Sequence, residues 1–246
     1  MVRNTKRLVS KVEKISLDNI CTKLIVYEKN RKTIEIKINK IIKKVKKIKY
    51  CLFDLNNTLY SGDTKVFDQV DKKMSKFISD KLNVSIEEAK KIQKNYFHEY
   101  NTTLNGMIKN HKIDANEFLE FVHDVDLSFL QKNVPLEKEI TKLNGKKIIF
   151  TNGSKAHAAN VTKRIGIEKL FDGVFDIVDS DFVPKPSKQP YEKIIENFKI
   201  EPQYCIFFED IARNLKPAHE LGMKTVWIEN DEPWAAKHSE IGRAHV

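Results

Sequence analysis

The second half of the chain alternates short apolar runs with helix-like segments, and this alternation narrows the possible folds more than any other feature. The predicted strands there are 147–150, 173–178, 204–208 and 225–228. Strands separated by single helices form a parallel sheet through right-handed crossovers. We therefore expect an α/β fold with a three-layer, Rossmann-like parallel sheet, whose site lies at the carboxyl ends of the strands.

A further strand is predicted earlier, at Tyr50–Phe53, and it stops at Asp54. The run is rich in Cys, Leu and Phe, is too short for a helix, and turns at once through small polar residues. A carboxylate at the end of a buried strand is costly to desolvate, so it needs a metal ion or a chemical task. Asn56 follows two residues later, where a second carboxylate would make a catalytic interpretation straightforward.

Residues 63–140 carry helical patterns and no strand signals. Apolar residues from Val66 to Leu82 recur at three- and four-residue spacings and make one face. Ser85 with Glu88 predicts a capping-box helix start. We expect a helical cap at 63–140, inserted into an α/β core formed by 48–62 and 141–239.

The net charge of +10 belongs to one segment of the chain. Residues 1–49 hold 16 Lys and Arg against four acidic residues, a net +12, whereas the remainder has 28 basic and 30 acidic side chains, a net −2. Such a basic arm can serve nucleic acid, but Tyr27 is its one aromatic residue. We expect 1–47 to be a solvated or disordered, non-native extension with a small hairpin at 24–38, and no nucleic-acid partner.

Composition indicates a protein of the cytoplasm. Hydrophobic content is 41%, and no apolar run approaches the roughly 18 residues of a membrane span. The three cysteines, Cys21, Cys51 and Cys205, are not closely paired, and two lie in predicted strands. We therefore expect Cys51 and Cys205 to be buried thiols in a reducing cytoplasm. We also expect no membrane partner. The oligomeric state is left open.

The last seven residues, 240–246, resemble the translation of a widely used sequencing adapter. On that interpretation they are not native, and the natural C-terminus lies beyond a further strand and helix. An ordinary exposed tail is the alternative.

Polar features fall at the predicted carboxyl ends of four strands. They are Asp54, Thr151, Lys185 in the loop after the third of them, and the pair Glu209-Asp210. Asp54 and Asp210 together make an oxygen-rich site suited to Mg²⁺. Lys185 is a point charge for phosphate oxygens, and Thr151 with nearby backbone N–H groups is a set of donors.

These segments resemble the haloacid dehalogenase-like (HAD) superfamily of phosphohydrolases. The four matching motifs are Phe53–Tyr60, Thr151–Gly153, Lys185-Pro186 and Phe207–Asp210. The finer phrases Thr151–His157, Asp181–Pro186, Ala212–Leu215 and Pro217–Trp227 are similar to the pyrimidine 5′-nucleotidase branch. The resemblance covers residues 48 to 239 and implies a phosphomonoesterase acting on a small phosphorylated metabolite, most specifically a nucleoside 5′-monophosphate.

The resemblance also implies roles for individual residues. Asp54 would attack phosphorus and form an aspartyl-phosphate that water then cleaves. Thr151, Asn152 and Lys185 would bind the phosphate and neutralise its charge in the transition state. The Mg²⁺ ligands would be Asp54, the backbone carbonyl of Asn56 and Asp210, with Glu209 acting through water, beneath a mobile cap.

Asn56 departs from the family pattern, which places an acid–base aspartate there. Its amide can hydrogen-bond but cannot give up a proton, and losing a general acid or base typically costs about 10²–10⁴ in rate. Three interpretations stay open: a slow or altered enzyme, a phosphate-binding pseudoenzyme, and a misread codon.

Four histidines, His98, His111, His123 and His157, share no spacing typical of a metal site. We expect them to be solvated or core residues. The aromatic residues Tyr60, Tyr96, Phe97 and Tyr100 lie at helical or strand-end positions where core packing is more common than stacking on a base.

Overall fold

The computed structural model describes residues 21–24, 48–228 and 235. Its sheet has six strands: β1 Cys21–Leu24, β2 Tyr50–Phe53, β3 Lys146–Phe150, β4 Gly173–Phe175, β5 Cys205–Glu209 and β6 Lys224–Ile228. They are ordered β1-β6-β5-β2-β3-β4, and every neighbouring pair is parallel. The predicted α/β fold with a Rossmann-like parallel sheet is confirmed.

Strand β2 lies in the middle of the sheet, between β5 and β3. Phe53, its last residue, pairs with Phe208 on one side and Ile149 on the other. Since all three strands run in the same direction, the residues that follow them meet at one edge of the sheet. This register brings the predicted polar residues together.

Alternate strand residues pack into two apolar layers, one on each face of the sheet. Phe53 and Phe208 lie in one layer with their rings stacked at 4.8 Å, and Leu52 and Phe207 lie in the other. Burial on both faces explains why these strands read as continuous apolar runs rather than alternating ones.

The described part of the chain contains eight α-helices. They are α1 Val66–Leu82, α2 Ile86–Tyr100, α3 Thr103–His111, α4 Ala115–His123, α5 Val134–Thr141, α6 Lys155–Ile165, α7 Lys188–Phe198 and α8 Ala212–Glu220. Short 3₁₀ turns occur at Gly62–Thr64, Glu168–Leu170 and Pro202–Tyr204. Ser85 caps α2 by accepting from Glu88 N, as its sequence indicated.

Helices α1 to α4 share an apolar cluster that is separate from the two layers of the sheet. Val70, Phe77, Met107 and Phe118 are buried in it. Ile140 of α5, by contrast, packs in the layer that contains Phe53. From Val66 to Thr141 the described chain forms only helices and the loops between them, and the last of these helices lies against the sheet.

Two local expectations need correction. The strand predicted at 173–178 ends at Phe175, because the buried Asp176 carboxylate accepts from the backbone N–H groups of Lys155, Val178 and Asp179 and bends the chain. Cys21–Leu24, inside the segment expected to be an extension, forms the edge strand β1. The hairpin proposed at 24–38, apart from Leu24, and the tail 240–246 lie outside the described residues.

Within the same described ranges, no helix is both long enough and apolar enough to cross a membrane.

Candidate active site

Asp54 projects from the end of β2 into a buried polar site. Its backbone N–H donates to Phe208 O at 2.8 Å, which extends the β2–β5 ladder by one residue and fixes the carboxylate position. One carboxylate oxygen accepts from Lys185 Nζ, also at 2.8 Å. Burial first, and then the negative charge of Glu209, raise the pKa of Asp54 to about 7, against the opposing effect of Lys185.

The buried Lys185 ammonium joins three strand ends. Nζ donates to Asp54 Oδ1 at 2.8 Å, to Glu209 Oε2 at 2.7 Å and to Phe150 O at 2.8 Å. Burial alone would lower its pKa, but Asp54 and Glu209 outweigh this and raise the pKa above its ordinary value. Asn152 holds the Lys185 backbone, accepting from its N–H at 2.9 Å and donating to its carbonyl at 3.3 Å.

Three carboxylates gather around this ammonium group. Asp54, Glu209 and Asp210 each place a carboxylate oxygen within 4.8 Å of the others, and all three are buried. Burial, together with Glu209 and Asp54, raises the pKa of Asp210 well above its usual range. Three acids against one Lys185 leave excess negative charge, and oxygen-only donors suit a hard divalent cation. These residues therefore fit Mg²⁺.

Thr151 begins the loop after β3. Its backbone N–H donates to Phe175 O at 3.0 Å, and its Oγ1 accepts from Gly153 N at 3.0 Å. The bond from Gly153 N uses only an acceptor lone pair of the Thr151 hydroxyl. The hydroxyl proton can therefore be donated to a ligand oxygen. Ser154 then caps α6 by accepting from His157 N.

Asn56 lies beside the carboxylates with its side-chain oxygen in use. Oδ1 accepts from Tyr60 OH at 2.6 Å and lies 3.4 Å from His157 Nε2. Tyr60 is therefore buried against the site, rather than available to stack on a base. The Asn56 amide group that remains can only donate, so this side chain offers no proton-accepting atom to a substrate.

Two of the four histidines lie beside the candidate site. His123, the last residue of α4, and His157 of α6 stack with ring centroids 4.4 Å apart and planes 14° apart. Burial lowers the pKa of His157 to about 4 and that of His123 well below its usual range. His157 is buried and His123 is half-buried; His157 lies against Asn56, and His123 lies against the Thr151 loop. No periodicity in the sequence indicated that contact.

A cavity of about 210 Å³ separates the strand ends from helices α1 to α4. Asp54, Asn56, Thr151, Asn152, Lys185 and Asp210 all line it, while Glu209 lies behind them. The opposite wall is mostly apolar, with Phe67, Met74, Phe97 and Leu104 among its residues. Every predicted site residue is therefore at one place in the fold.

Arg213, which belongs to the Ala212–Leu215 phrase but had no role assigned from sequence, also lines this cavity. Its guanidinium carbon lies 4.8 Å from the centre of the Phe97 ring, and Nη2 donates to Asn101 O at 3.5 Å. Partial burial lowers the pKa of Arg213. Through this hydrogen bond to Asn101 O, Arg213 links the first turn of α8 to the C-terminal end of α2.

Comparison with models of protein families identifies the family of this chain. The model of haloacid dehalogenase-like hydrolases matches residues 48–222, which include all seven predicted site residues. The chain belongs to the haloacid dehalogenase-like hydrolase family.

Two relatives each match more than two thirds of this chain. Phosphate metabolism protein 8 of Saccharomyces cerevisiae is 29% identical over 197 residues, 71% of this chain and 60% of the yeast protein. Glyceraldehyde 3-phosphate phosphatase of Methanocaldococcus jannaschii is 27% identical over 196 residues, 74% of this chain and 85% of that protein. The chain thus matches less than two thirds of the yeast relative's length.

Solved structures share the fold. The HAD phosphatase from Thermococcus onnurineus has a TM-score of 0.51 at 22% identity, covering 75% of this chain and 87% of that one. L-2-haloacid dehalogenase from Xanthobacter autotrophicus has a TM-score of 0.50 at 17% identity, covering 81% and 84%. At these identities the likeness concerns the fold alone.

Proposed function

We propose that this chain is a Mg²⁺-dependent phosphomonoesterase that hydrolyses a small phosphorylated metabolite through an aspartyl-phosphate on Asp54. The observation that carries the proposal is the buried Lys185 ammonium, which joins Asp54, in the wall of the cavity, to Glu209 behind it. A nucleophilic carboxylate beside a fixed cation and a set of hydroxyl and amide donors is suited to phosphoryl transfer.

The residues of the chain divide the work of the reaction. Asp54 attacks phosphorus, so that the P–O bond to the leaving group breaks as the aspartyl-phosphate forms. The Thr151 hydroxyl binds a phosphoryl oxygen. Lys185, whose three N–H groups are donated to Asp54, Glu209 and Phe150 O, attracts the phosphoryl group through its positive charge and balances the charge of the transition state. Asn152 positions Lys185 through the two hydrogen bonds to its backbone. The helices above the cavity exclude water until the transfer is complete.

Asp54, Asp210 and the backbone carbonyl of Asn56 would hold the Mg²⁺ ion. When bound, Mg²⁺ would screen the phosphate charge from the surrounding carboxylates and orient its oxygens. Glu209 already uses both oxygens, one accepting from Lys185 and the other from Ile211 N. Its role is therefore to position Lys185 and to act on the metal shell through water.

A nucleoside 5′-monophosphate, with a pyrimidine base, is the proposed substrate. The mostly apolar wall around Phe97 suits a flat ring, and the partly buried Arg213 adds polar atoms beside it. The names of two relatives, a phosphate metabolism protein and a glyceraldehyde 3-phosphate phosphatase, support a phosphate ester more broadly. A triose phosphate is therefore the comparison substrate.

Phosphate release from a panel of esters tests the proposal. The panel contains pyrimidine nucleoside monophosphates, glyceraldehyde 3-phosphate and an aryl phosphate, each with Mg²⁺ and with a chelator. We expect Mg²⁺-dependent release that Asp54→Asn abolishes. Release that survives in Asp54→Asn, or that ignores the chelator, would contradict the proposed mechanism.

A non-catalytic protein that binds a phosphorylated ligand is the second candidate, and Asn56 favours it. Calorimetric binding of a nucleotide without phosphate release would support this alternative. Asn56→Asp separates the two, because it restores a proton donor. If proton transfer limits the wild-type chain, this variant speeds nucleotide hydrolysis more than aryl phosphate hydrolysis, since an aryl leaving group needs less protonation.

A further inference from the structure

Asn56, where the family pattern places an acid–base aspartate, contacts His157, and His157 in turn stacks on His123. His157 Nε2 is 3.4 Å from Asn56 Oδ1, and the His157 ring stacks on His123 at a centroid distance of 4.4 Å. His123 comes from α4, above the cavity, and is among its lining residues. The helical cap therefore presents a half-buried imidazole one ring away from the position where the family pattern places an aspartate.

One ring nitrogen of His123 faces the phosphate-binding loop. A Cβ atom built on Gly153 would lie 3.4 Å from Thr151 Oγ1 and 3.5 Å from His123 Nε2. The hydroxyl and the imidazole nitrogen thus border the same small space, which the absence of a side chain at Gly153 leaves open. A ligand oxygen bound by Thr151 would come close to this nitrogen.

The other ring nitrogen is anchored. His123 Nδ1 lies 2.9 Å from Ser154 Oγ, the N-cap atom of α6. A serine oxygen has two acceptor lone pairs, so it can accept from Nδ1–H as well as from the backbone of His157. In the tautomer that carries its proton on Nδ1, this hydrogen bond leaves Nε2 as the nitrogen that exchanges a proton.

We propose that His123 is the proton-transfer residue of this site and replaces the carboxylate missing at Asn56, an inference that rests on the proposed function. In the first step Asp54 attacks phosphorus, and Nε2–H gives its proton to the leaving oxygen. In the second step neutral Nε2 takes a proton from water as that water attacks the aspartyl-phosphate. Inorganic phosphate, the alcohol and a protonated imidazole result, which is the state of the ring at the start of the first step. The proton taken up when the substrate binds is lost again when phosphate leaves.

The surroundings of His123 permit both protonation states. Burial, reinforced by the nearby His157, lowers the pKa of His123 well below its ordinary value, which favours the neutral imidazole. The negative charge of an incoming phosphate acts in the opposite direction and favours the protonated ring. Asp124, the next residue, is largely exposed and pairs with Lys73 at 2.6 Å, so it does not neutralise the imidazole.

Two variants, His123→Gln and His123→Phe, test the proposal, and exposed His111→Gln is the matched control. Phe keeps the stack on His157 without a ring nitrogen, whereas Gln keeps a hydrogen-bonding group that cannot titrate. An aryl phosphate serves as donor, because its first step needs little protonation. Acid quenching and intact-protein mass measurement then report the fraction of Asp54 that carries phosphate.

We expect both His123 variants to accumulate the phosphorylated protein, because dephosphorylation slows by about 10²–10⁴ when its base is lost. The wild-type chain and His111→Gln should clear it. In an Asn56→Asp background the effect of His123→Gln should shrink to less than about tenfold, since the restored carboxylate takes over proton transfer.

Three results would overturn the inference while leaving the proposed function in place. They are His123 variants that clear the phosphorylated protein as fast as the wild type, a His123→Gln defect of unchanged size in the Asn56→Asp background, and accumulation in the wild-type chain itself. The last measurement needs no variant to fold. Absence of phosphorylation in both the wild-type and Asn56→Asp chains would overturn the proposed function and this inference together.

Discussion

Lys185 Nζ donates to Asp54 Oδ1 across 2.8 Å in the interior of the protein, although the two residues are 131 positions apart in the chain. Glu209 shares the same ammonium group at 2.7 Å. Removing a buried cation from such a group leaves carboxylates without compensation, whereas the same change at the surface has little effect. This contrast makes the pair testable by stability measurements alone.

Lys185→Met should lower the free energy of unfolding by about 3–5 kcal/mol near neutral pH. Lys188→Met, which breaks an exposed pair with Glu192, is the control and should cost no more than about 1 kcal/mol. Urea unfolding measures both. At acidic pH the Lys185→Met loss should shrink, because the stranded carboxylates become protonated; a loss independent of pH would contradict this account.

Mg²⁺ should stabilise the folded chain through the carboxylate cluster. At a concentration one hundred times the dissociation constant, the expected gain is about 2.7 kcal/mol. Asp210→Asn should abolish the gain, whereas the exposed Asp80→Asn should keep it. Thermal unfolding with Mg²⁺ and with a chelator tests this, and an equal shift in Asp210→Asn would place the ion elsewhere.

His157 should make the protein sensitive to acid. Burial lowers its pKa from 6.5 to about 4. Between these values the unfolded chain binds a proton that the folded chain does not, so stability is complete above the upper value and falls as the pH drops toward the lower one. The displacement corresponds to roughly 3 kcal/mol.

Replacing this histidine isolates its contribution. In His157→Phe, the stability lost between about pH 7 and pH 4 should be smaller than in the wild type by up to the roughly 3 kcal/mol given above. The difference is measured by urea unfolding at both pH values, with His111→Gln as the control that keeps the wild-type loss. If His157→Phe and the wild type lose the same unfolding free energy between these pH values, the acid sensitivity does not come from His157.

Gly106 should be essential to the packing of α3 on α2. A Cβ atom there would lie 2.4 Å from both Cβ and Cγ of Tyr96, which belong to the rigid base of that side chain. Gly106→Ala should therefore destabilise the protein by about 1–3 kcal/mol despite its better helix propensity. Lys109→Ala, on the exposed face of the same helix, should change stability by less than about 0.5 kcal/mol.

Much of the fold could be predicted from local patterns. Runs such as Tyr50–Phe53 and Cys205–Phe208 are apolar because the sheet is covered on both faces, and the polar residues after them mark the strand ends. Once the strands are known to be parallel, Asp54, Thr151 and Asp210 must meet at one edge. Five of the candidate site residues, namely Asp54, Thr151, Lys185, Glu209 and Asp210, were found in this way, whereas the family resemblance supplied roles for Asn56 and Asn152.

Other features depend on contacts that no local pattern encodes. The edge strand β1 exists through pairing with β6, about 200 positions later in the chain, and Asp176 ends β4 by binding backbone N–H groups of two different segments. Likewise, His123 and His157 have ordinary helical surroundings in sequence, and their stack beside Asn56 requires α4 to fold over α6. Periodicity reports which face of an element is buried, whereas the partner on the other side of that face is set by packing across the whole chain.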